Sequence, residues 1–171
     1  KRIWDFQMES GAKRDGVAVG AGIASTDDRV IVTSGYGFII ALSKDKGTEL
    51  WRRHLDNPIS GSPAIMGDRA FVTSTNNELY VLDVDNGEIV WSDQAIAETA
   101  RILSSPSPAV NNDLLVAPFS SGEVIAYVPA NGRRLWQDTL TTEGRFTPLS
   151  AINDIAGRPS IQDGVVYAAS H

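Results

Sequence analysis

Cysteine is absent from the 171 residues, histidine occurs twice, aromatics make up 8% of the chain, and no long apolar run interrupts it. Without cysteine there is neither a disulfide framework nor a thiolate metal site. Basic residues are in deficit, 15 Lys and Arg against 21 Asp and Glu for a net charge of -6. Nucleic-acid grooves need clustered Lys and Arg to displace counterions, so this balance argues against DNA or RNA as partner. The longest uncharged stretch, Val30 to Ser43, holds 14 residues including Thr, Ser and Gly. That is short of the roughly 20 apolar residues a spanning helix requires. No initiator methionine, secretory leader or lipid-attachment cysteine is present, so any targeting segment is expected to lie outside this sequence.

What the sequence does contain is a repeat. Gly47-Thr48-Glu49-Leu50-Trp51, Gly87-Glu88-Ile89-Val90-Trp91 and Gly132-Arg133-Arg134-Leu135-Trp136 share one punctuation, glycine, three residues, tryptophan. A second column precedes them at Ile23, Pro63, Pro108 and Pro159. The steps Ile23 to Trp51, Pro63 to Trp91 and Pro108 to Trp136 are each 28 positions. The connections from Trp4 to Ile23, Trp51 to Pro63, Trp91 to Pro108 and Trp136 to Pro159 are instead 19, 12, 17 and 23. A rigid unit copied at fixed length, with all variation confined to one class of loop, marks a repeat architecture.

Each unit reads as four short strands. In the second they fall near 62–65, 69–74, 78–82 and 88–92, divided by Met66-Gly67, Thr75-Asn76-Asn77 and Asp85-Asn86-Gly87. The last turn and its counterparts Asp45-Lys46-Gly47 and Asn131-Gly132 supply residues that tolerate positive φ, which predicts tight hairpins. Phe38 to Leu42, Leu79 to Leu82 and Val124 to Tyr127 are apolar at consecutive positions instead of alternating. Both faces of such strands must be covered. Four-stranded antiparallel sheets of about 40 residues stacked face on face are the blades of a β-propeller. A β-sandwich would suit the short strands but not the constant spacing. The expected fold is therefore all-β, with blades at 16–55, 58–94 and 101–140, a leading outer strand at 1–7 and the start of a further blade at 155–171. Such an arc cannot close a ring, so the sequence is expected to belong to a longer chain with a number of blades in the four to eight usual for propellers. By itself the arc would tend to self-associate through open edges. The one helix-like stretch, Asp93 to Ile102, lies in a connection.

The search for catalytic groups returns little. Gly20-Ala21-Gly22 half matches a dinucleotide fingerprint but lacks the third glycine and precedes a strand. His54 and His171 have no spaced partner for a metal. Ser104-Ser105-Pro106-Ser107 has no nucleophile-elbow pattern. Asp83 and Asp85 flank a hairpin and read as turn formers. Arg52-Arg53 and Arg133-Arg134 read as charges that keep an outer strand from unwanted pairing. No catalytic residue, cofactor or metal is expected.

The stretch Val81-Leu82-Asp83-Val84-Asp85-Asn86-Gly87-Glu88-Ile89-Val90-Trp91 resembles the repeat signature of pyrroloquinoline-quinone-like (PQQ-like) propellers; Ser43 and Val128 replace its Asp in the other copies. The resemblance implies that Trp4, Trp51, Trp91 and Trp136 dock neighbouring blades, next to the turn glycines Gly47, Gly87 and Gly132. Leu149 to Ala168, with Asp154 before Pro159 and Gly164-Val165-Val166-Tyr167-Ala168 after it, is similar to a segment of the BamB family of outer-membrane barrel-assembly lipoproteins. That likeness implies an eight-bladed, non-catalytic scaffold at the periplasmic face of the bacterial outer membrane, held there by a lipid anchor not present in this chain. It would bind the POTRA domains of a BamA-like barrel insertase, with unfolded outer-membrane proteins as further clients. Arg101, Ile102, Leu103, Phe146, Asp154 and Arg158, on the connections of 17 and 23 positions, are the expected contact residues. Apolar groups mixed with Arg and Asp suit an interface core and its rim. The alternatives are a piece of a quinone-dependent dehydrogenase, whose family commonly carries a vicinal cysteine pair absent here, and a ligand-binding or sensor propeller.

Overall fold

In the computed structural model, residues 2–8, 20–95, 106–140 and 157–169 are described. Among the described residues fourteen strands run in chain order: β1 (Ile23–Ser25), β2 (Arg29–Ser34), β3 (Phe38–Ser43), β4 (Glu49–His54), β5 (Ala64–Met66), β6 (Arg69–Thr73), β7 (Glu78–Asp83), β8 (Ile89–Gln94), β9 (Ala109–Val110), β10 (Leu115–Pro118), β11 (Glu123–Tyr127), β12 (Arg134–Thr139), β13 (Ser160–Gln162) and β14 (Val165–Tyr167). They form three four-stranded antiparallel meanders, β1 to β4, β5 to β8 and β9 to β12, and a two-stranded sheet of β13 and β14. The expected all-β propeller architecture is what the chain adopts. The helix-like reading of Asp93 to Ile102 is corrected at its start, because Asp93 and Gln94 close β8. Pairing with Glu78 and Leu79 holds them extended, and the rest of that stretch lies outside the described residues.

The sheets stack because their middle strands are apolar on both sides. β3 is buried at all but its last position, β7 at its four central ones and β11 at all five. Ile31, Ile39 and Ala41 of the first sheet meet Ala70, Val72 and Leu82 of the second in one core. Phe71, Leu79 and Val81 of the second meet Leu115, Phe119, Ile125 and Tyr127 of the third in another. Each fully buried side chain of this size is worth about 1.5–3 kcal/mol, so the stacking surfaces carry most of the stability. The segment 2–8 covers the outer side of the first sheet, where Trp4 and Phe6 pack on Phe38, Ile40 and Leu42.

The outer strand of every four-stranded sheet carries the same irregularity. Ala41 pairs with Trp51 but Leu42 with Glu49, so Leu50 is extra. Val90 and Leu135 are extra at the corresponding places in β8 and β12. A bulge leaves one residue unpaired and increases the local twist. Here the bulged residue is an exposed aliphatic, and the tryptophan after it resumes the ladder.

Turns β1–β2 and β3–β4 share one end of each sheet. Turn β2–β3 and the connections between sheets share the other. The first end is called the turn face below, the second the connection face.

Candidate interaction surface

Adjacent sheets are fastened by side chains that cross from one to the next. The Trp51 Nε1–H donates to the Val84 carbonyl at 2.8 Å, and its ring lies so close to Gly87 that an added Cβ would stand 2.5 Å from Cε3. Gly87 has φ 71, a left-handed turn conformation that glycine adopts without strain. Trp4 repeats the arrangement on Gly47 and Lys44, and Trp91 on Gly132 and Pro129. Trp136 is 39% exposed, and among the described residues no turn glycine lies against it.

A hydroxyl makes a second fastening near the inner strands. The fully buried Thr33 accepts from the Gly22 N–H at 2.9 Å and donates to the Gly61 carbonyl at 2.7 Å. Thr73 donates likewise to the Pro106 carbonyl. Pro118 holds this position in the third sheet and has neither N–H nor hydroxyl to offer. Asn77, fully buried with φ 59, stands where the other sheets have Gly37 and Gly122. Its Oδ1 accepts from Ser120 Oγ at 2.6 Å and Ser120 N at 3.1 Å in the next sheet. Asparagine tolerates this backbone region better than most residues, and it adds a bond that glycine lacks.

Charged groups complete the junctions. The Arg53 Nε–H donates to the Gly87 carbonyl at 2.8 Å. Asp93 accepts from Arg134 Nε at 2.7 Å and from the Tyr127 hydroxyl at 2.8 Å. Burial works to raise the Asp93 pKa, yet the hydrogen bonds from Arg134 and Tyr127 outweigh it and hold the carboxyl below its ordinary range. Burial, with Asp93 adding to it, pushes the Tyr127 hydroxyl far up. The edge-charge reading of the arginine pairs is thus revised for Arg53 and Arg134, which tie sheets together. Arg52 pairs with Glu49 at 2.8 Å and stacks over Phe38.

On the connection face, the Tyr80 hydroxyl donates to Glu78 at 2.6 Å and Asn57 Nδ2 donates to the same oxygen at 3.4 Å. Asn76 donates to Asn57 Oδ1, and Gln94 donates to the Asn76 carbonyl at 2.6 Å. Burial, then the Glu78 hydrogen bond, raises the Tyr80 pKa to about 12. This cluster ties the connection after β4 to the second sheet, and the sequence reading missed it. Its signal was Glu78 and Tyr80 two apart, on one face of a strand.

Of the expected contact residues, Arg101, Ile102, Leu103, Phe146 and Asp154 lie outside the described residues. Arg158 is exposed at the start of the strand pair β13–β14, beside a cleft of about 430 Å³ lined by Ala109, Val110, Asn111 and Pro159 to Ile161. Asp83 and Asp85 act as turn residues: Asp83 Oδ1 accepts the backbone N–H of Asp85 at 2.8 Å and of Asn86 at 3.3 Å. His54 ends β4 with its ring 5.8 Å from that of Phe38. Among the described residues no group of His, Asp and Glu is placed to hold a metal ion.

A family profile described as outer membrane protein assembly factor BamB matches residues 1–171. An uncharacterized protein of Rickettsia prowazekii is 28% identical over 150 residues, 87% of this chain and 36% of its own length. The assembly factor BamB of Yersinia pestis is 22% identical over 100% of this chain and 44% of its own. The quinoprotein alcohol dehydrogenase PedH of Pseudomonas putida is 26% identical over 70% of this chain and 22% of its own. In three dimensions BamB from Moraxella catarrhalis superposes with a TM-score of 0.79 at 22% identity, over 93% of this chain and 49% of that one. The chain therefore spans less than half the length of these relatives, and the structural likeness speaks for the fold. With the profile matched from the first residue to the last, the chain belongs to the family of outer membrane protein assembly factor BamB.

Proposed function

We propose that this chain is part of a non-catalytic scaffold for assembly of outer-membrane β-barrel proteins, working at the periplasmic face of that membrane. The observation that carries the reading is the family match over all 171 residues. The architecture is consistent with it. Sheets joined by half-buried tryptophans, a threonine hydroxyl and charge pairs make a stiff frame, and a stiff frame lowers the ordering cost of binding through its loops. The connections that follow β8 and β12 leave their sheets on the same face, and Arg101, Ile102, Leu103, Phe146, Asp154 and Arg158 on or beside them form the proposed contact with the POTRA domains of the barrel insertase. A lipid anchor outside this sequence would hold the scaffold at the membrane, and unfolded barrel proteins would be its further clients.

Site-specific photocrosslinking in cells tests the contact. A photoreactive amino acid at Ile102 or Phe146 is expected to capture the insertase, while one at Asn131 on the turn face is expected not to. Absence of insertase adducts from both connection positions, in stably expressed protein, rejects the proposed surface.

The likeness to PedH supports a second reading, a piece of a quinone-dependent dehydrogenase. It covers a smaller share of either chain than the assembly-factor match does. Saturable quinone absorbance in the presence of calcium would favour it.

A further inference from the structure

On the turn face, equivalent arginines behave differently at successive junctions. Arg29 opens β2 and reaches across to the second sheet, where its Nη1 donates to the carbonyls of Val84 and Asp85, each at 3.1 Å. Its Nη2 pairs with the Asp85 carboxylate at 2.7 Å. Arg69 opens β6, 40 positions later, and the corresponding targets in the third sheet are Pro129 and Ala130. It does not reach them. Arg69 Nη1 instead pairs with Asp68 and Asp83, each at 2.9 Å. Two substitutions between the repeats explain the difference. The position of Asp83 is Ser43 in the first sheet, so Arg29 has no carboxylate there to hold it back. The position of Asp85 is Ala130 in the third sheet, so Arg69 has none to draw it forward.

The consequence is an open cleft of about 420 Å³, lined by Met66, Asp68, Arg69, Val128, Pro129 and Ala130 among others. The Val84 carbonyl accepts two donors, Trp51 Nε1 and Arg29. Among the described residues the Pro129 carbonyl accepts only Trp91 Nε1, at 3.2 Å, and the Ala130 carbonyl accepts no donor. The acceptors that take a guanidinium at the first junction are thus available at the second. Arg69 is already matched by two carboxylates, Asp68 in the lining and Asp83 behind it, which leaves one net negative charge at this wall of the cleft. Asp113, in the β9–β10 turn next to the lining residue Asn112, adds a further carboxylate on this side.

We propose that this cleft receives an arginine or lysine side chain of a basic partner protein, in the way the first junction receives Arg29. The incoming cation donates to the Pro129 and Ala130 carbonyls and faces the Asp68 carboxylate, while its methylene stem lies on Met66 and Val128. A carboxylate ligand is disfavoured, since the Pro129 and Ala130 carbonyls offer it no donor and Arg69 is already held by Asp68 and Asp83. The site is on the opposite face from the proposed insertase contact and does not depend on it, so a protein with both would link two partners.

Acetyl-Gly-Arg-Gly-amide titrated into the intact ¹⁵N-labelled protein tests the site, with acetyl-Gly-Glu-Gly-amide as comparison. Saturable amide shifts confined to residues around Asp68 and Ala130, with the arginine peptide only, are expected. Asp68→Asn should weaken that binding by about fivefold, in the range of a partly exposed ion pair, and Ala130→Leu should abolish it by filling the cleft. The peptides are read on the unaltered protein first, so the outcome does not hinge on a variant folding. No saturable shift there with the arginine peptide, or an equal response to the glutamate peptide, overturns the proposal.

Discussion

The indole of Trp51 occupies the space that a side chain at Gly87 would need. A Cβ built on Gly87 stands 2.5 Å from Cε3 of that ring, well inside van der Waals contact. The glycine that lets the β7–β8 hairpin turn is also the floor on which the neighbouring sheet docks.

Gly87→Ala should therefore be much more costly than a turn substitution alone. Gly67 also has positive φ, 57, but nothing lies within 4 Å of its Cβ position. Gly67→Ala is expected to cost about 1 kcal/mol through backbone strain. Gly87→Ala adds the displacement of Trp51, for a total of about 3 kcal/mol. Urea unfolding of the two variants measures the difference, and equal losses would mean that the indole contact contributes nothing.

Thr33→Val keeps the shape of a buried residue and removes its hydroxyl. The buried Gly22 N–H loses its side-chain acceptor and the part-buried Gly61 carbonyl loses one donor, a cost of about 1–3 kcal/mol that falls mainly on the buried N–H. Hydrogen exchange at Gly22 should accelerate with the loss of stability. A neutral Thr33→Val would show that the hydroxyl bridge is not holding the first two sheets.

Acid should loosen the second junction through Asp93. Its carboxyl is held below the ordinary value of 3.8 by Arg134 and Tyr127 against the effect of burial. A depressed folded pKa gives stability that is present above 3.8 and lost as pH falls through the folded value. Asp93→Asn should flatten the acid limb of the stability profile below about pH 4. An unchanged limb in that variant would assign acid unfolding to other carboxylates.

Alkaline titration addresses the connection face. Tyr80 is raised to about 12 by burial and by Glu78. Its stabilising effect is complete below the ordinary value of 10.0 and declines as pH rises toward 12. Ultraviolet difference spectra of Tyr80→Phe against the parent should lose a phenol that ionises near 12. Loss of one that ionises near 10 would show that the Glu78 cluster does not form.

The repeat was legible because its markers are chemically constrained. A glycine at positive φ and a tryptophan that must rest on it leave few substitutes, so Gly87 and Trp51 recur in register with Gly132 and Trp91. Consecutive apolar residues from Phe38 to Leu42 likewise announced a strand covered on both faces. The fastenings between sheets were less legible. Thr33 and Thr73 look like any strand threonine until the carbonyl opposite them is located. Arg29 and Arg69 occupy equivalent positions, and their different partners follow from Ser43, Asp83, Asp85 and Ala130, four positions whose joint effect emerges only when adjacent sheets are placed side by side. Arg53 and Arg134 were read by exposure on an outer strand, whereas their reach takes them onto the neighbouring sheet. The expected contact residues fall in the connections, where length varies and no repeat constrains them, and of these only Arg158 is described.

Calorimetric titration of the intact protein against the soluble POTRA domains of the barrel insertase tests the scaffold account most directly. The account predicts saturable binding that is lost in Ile102→Asp and Asp154→Arg while both variants unfold at the parental denaturant concentration. Absence of binding by the folded parent would contradict it.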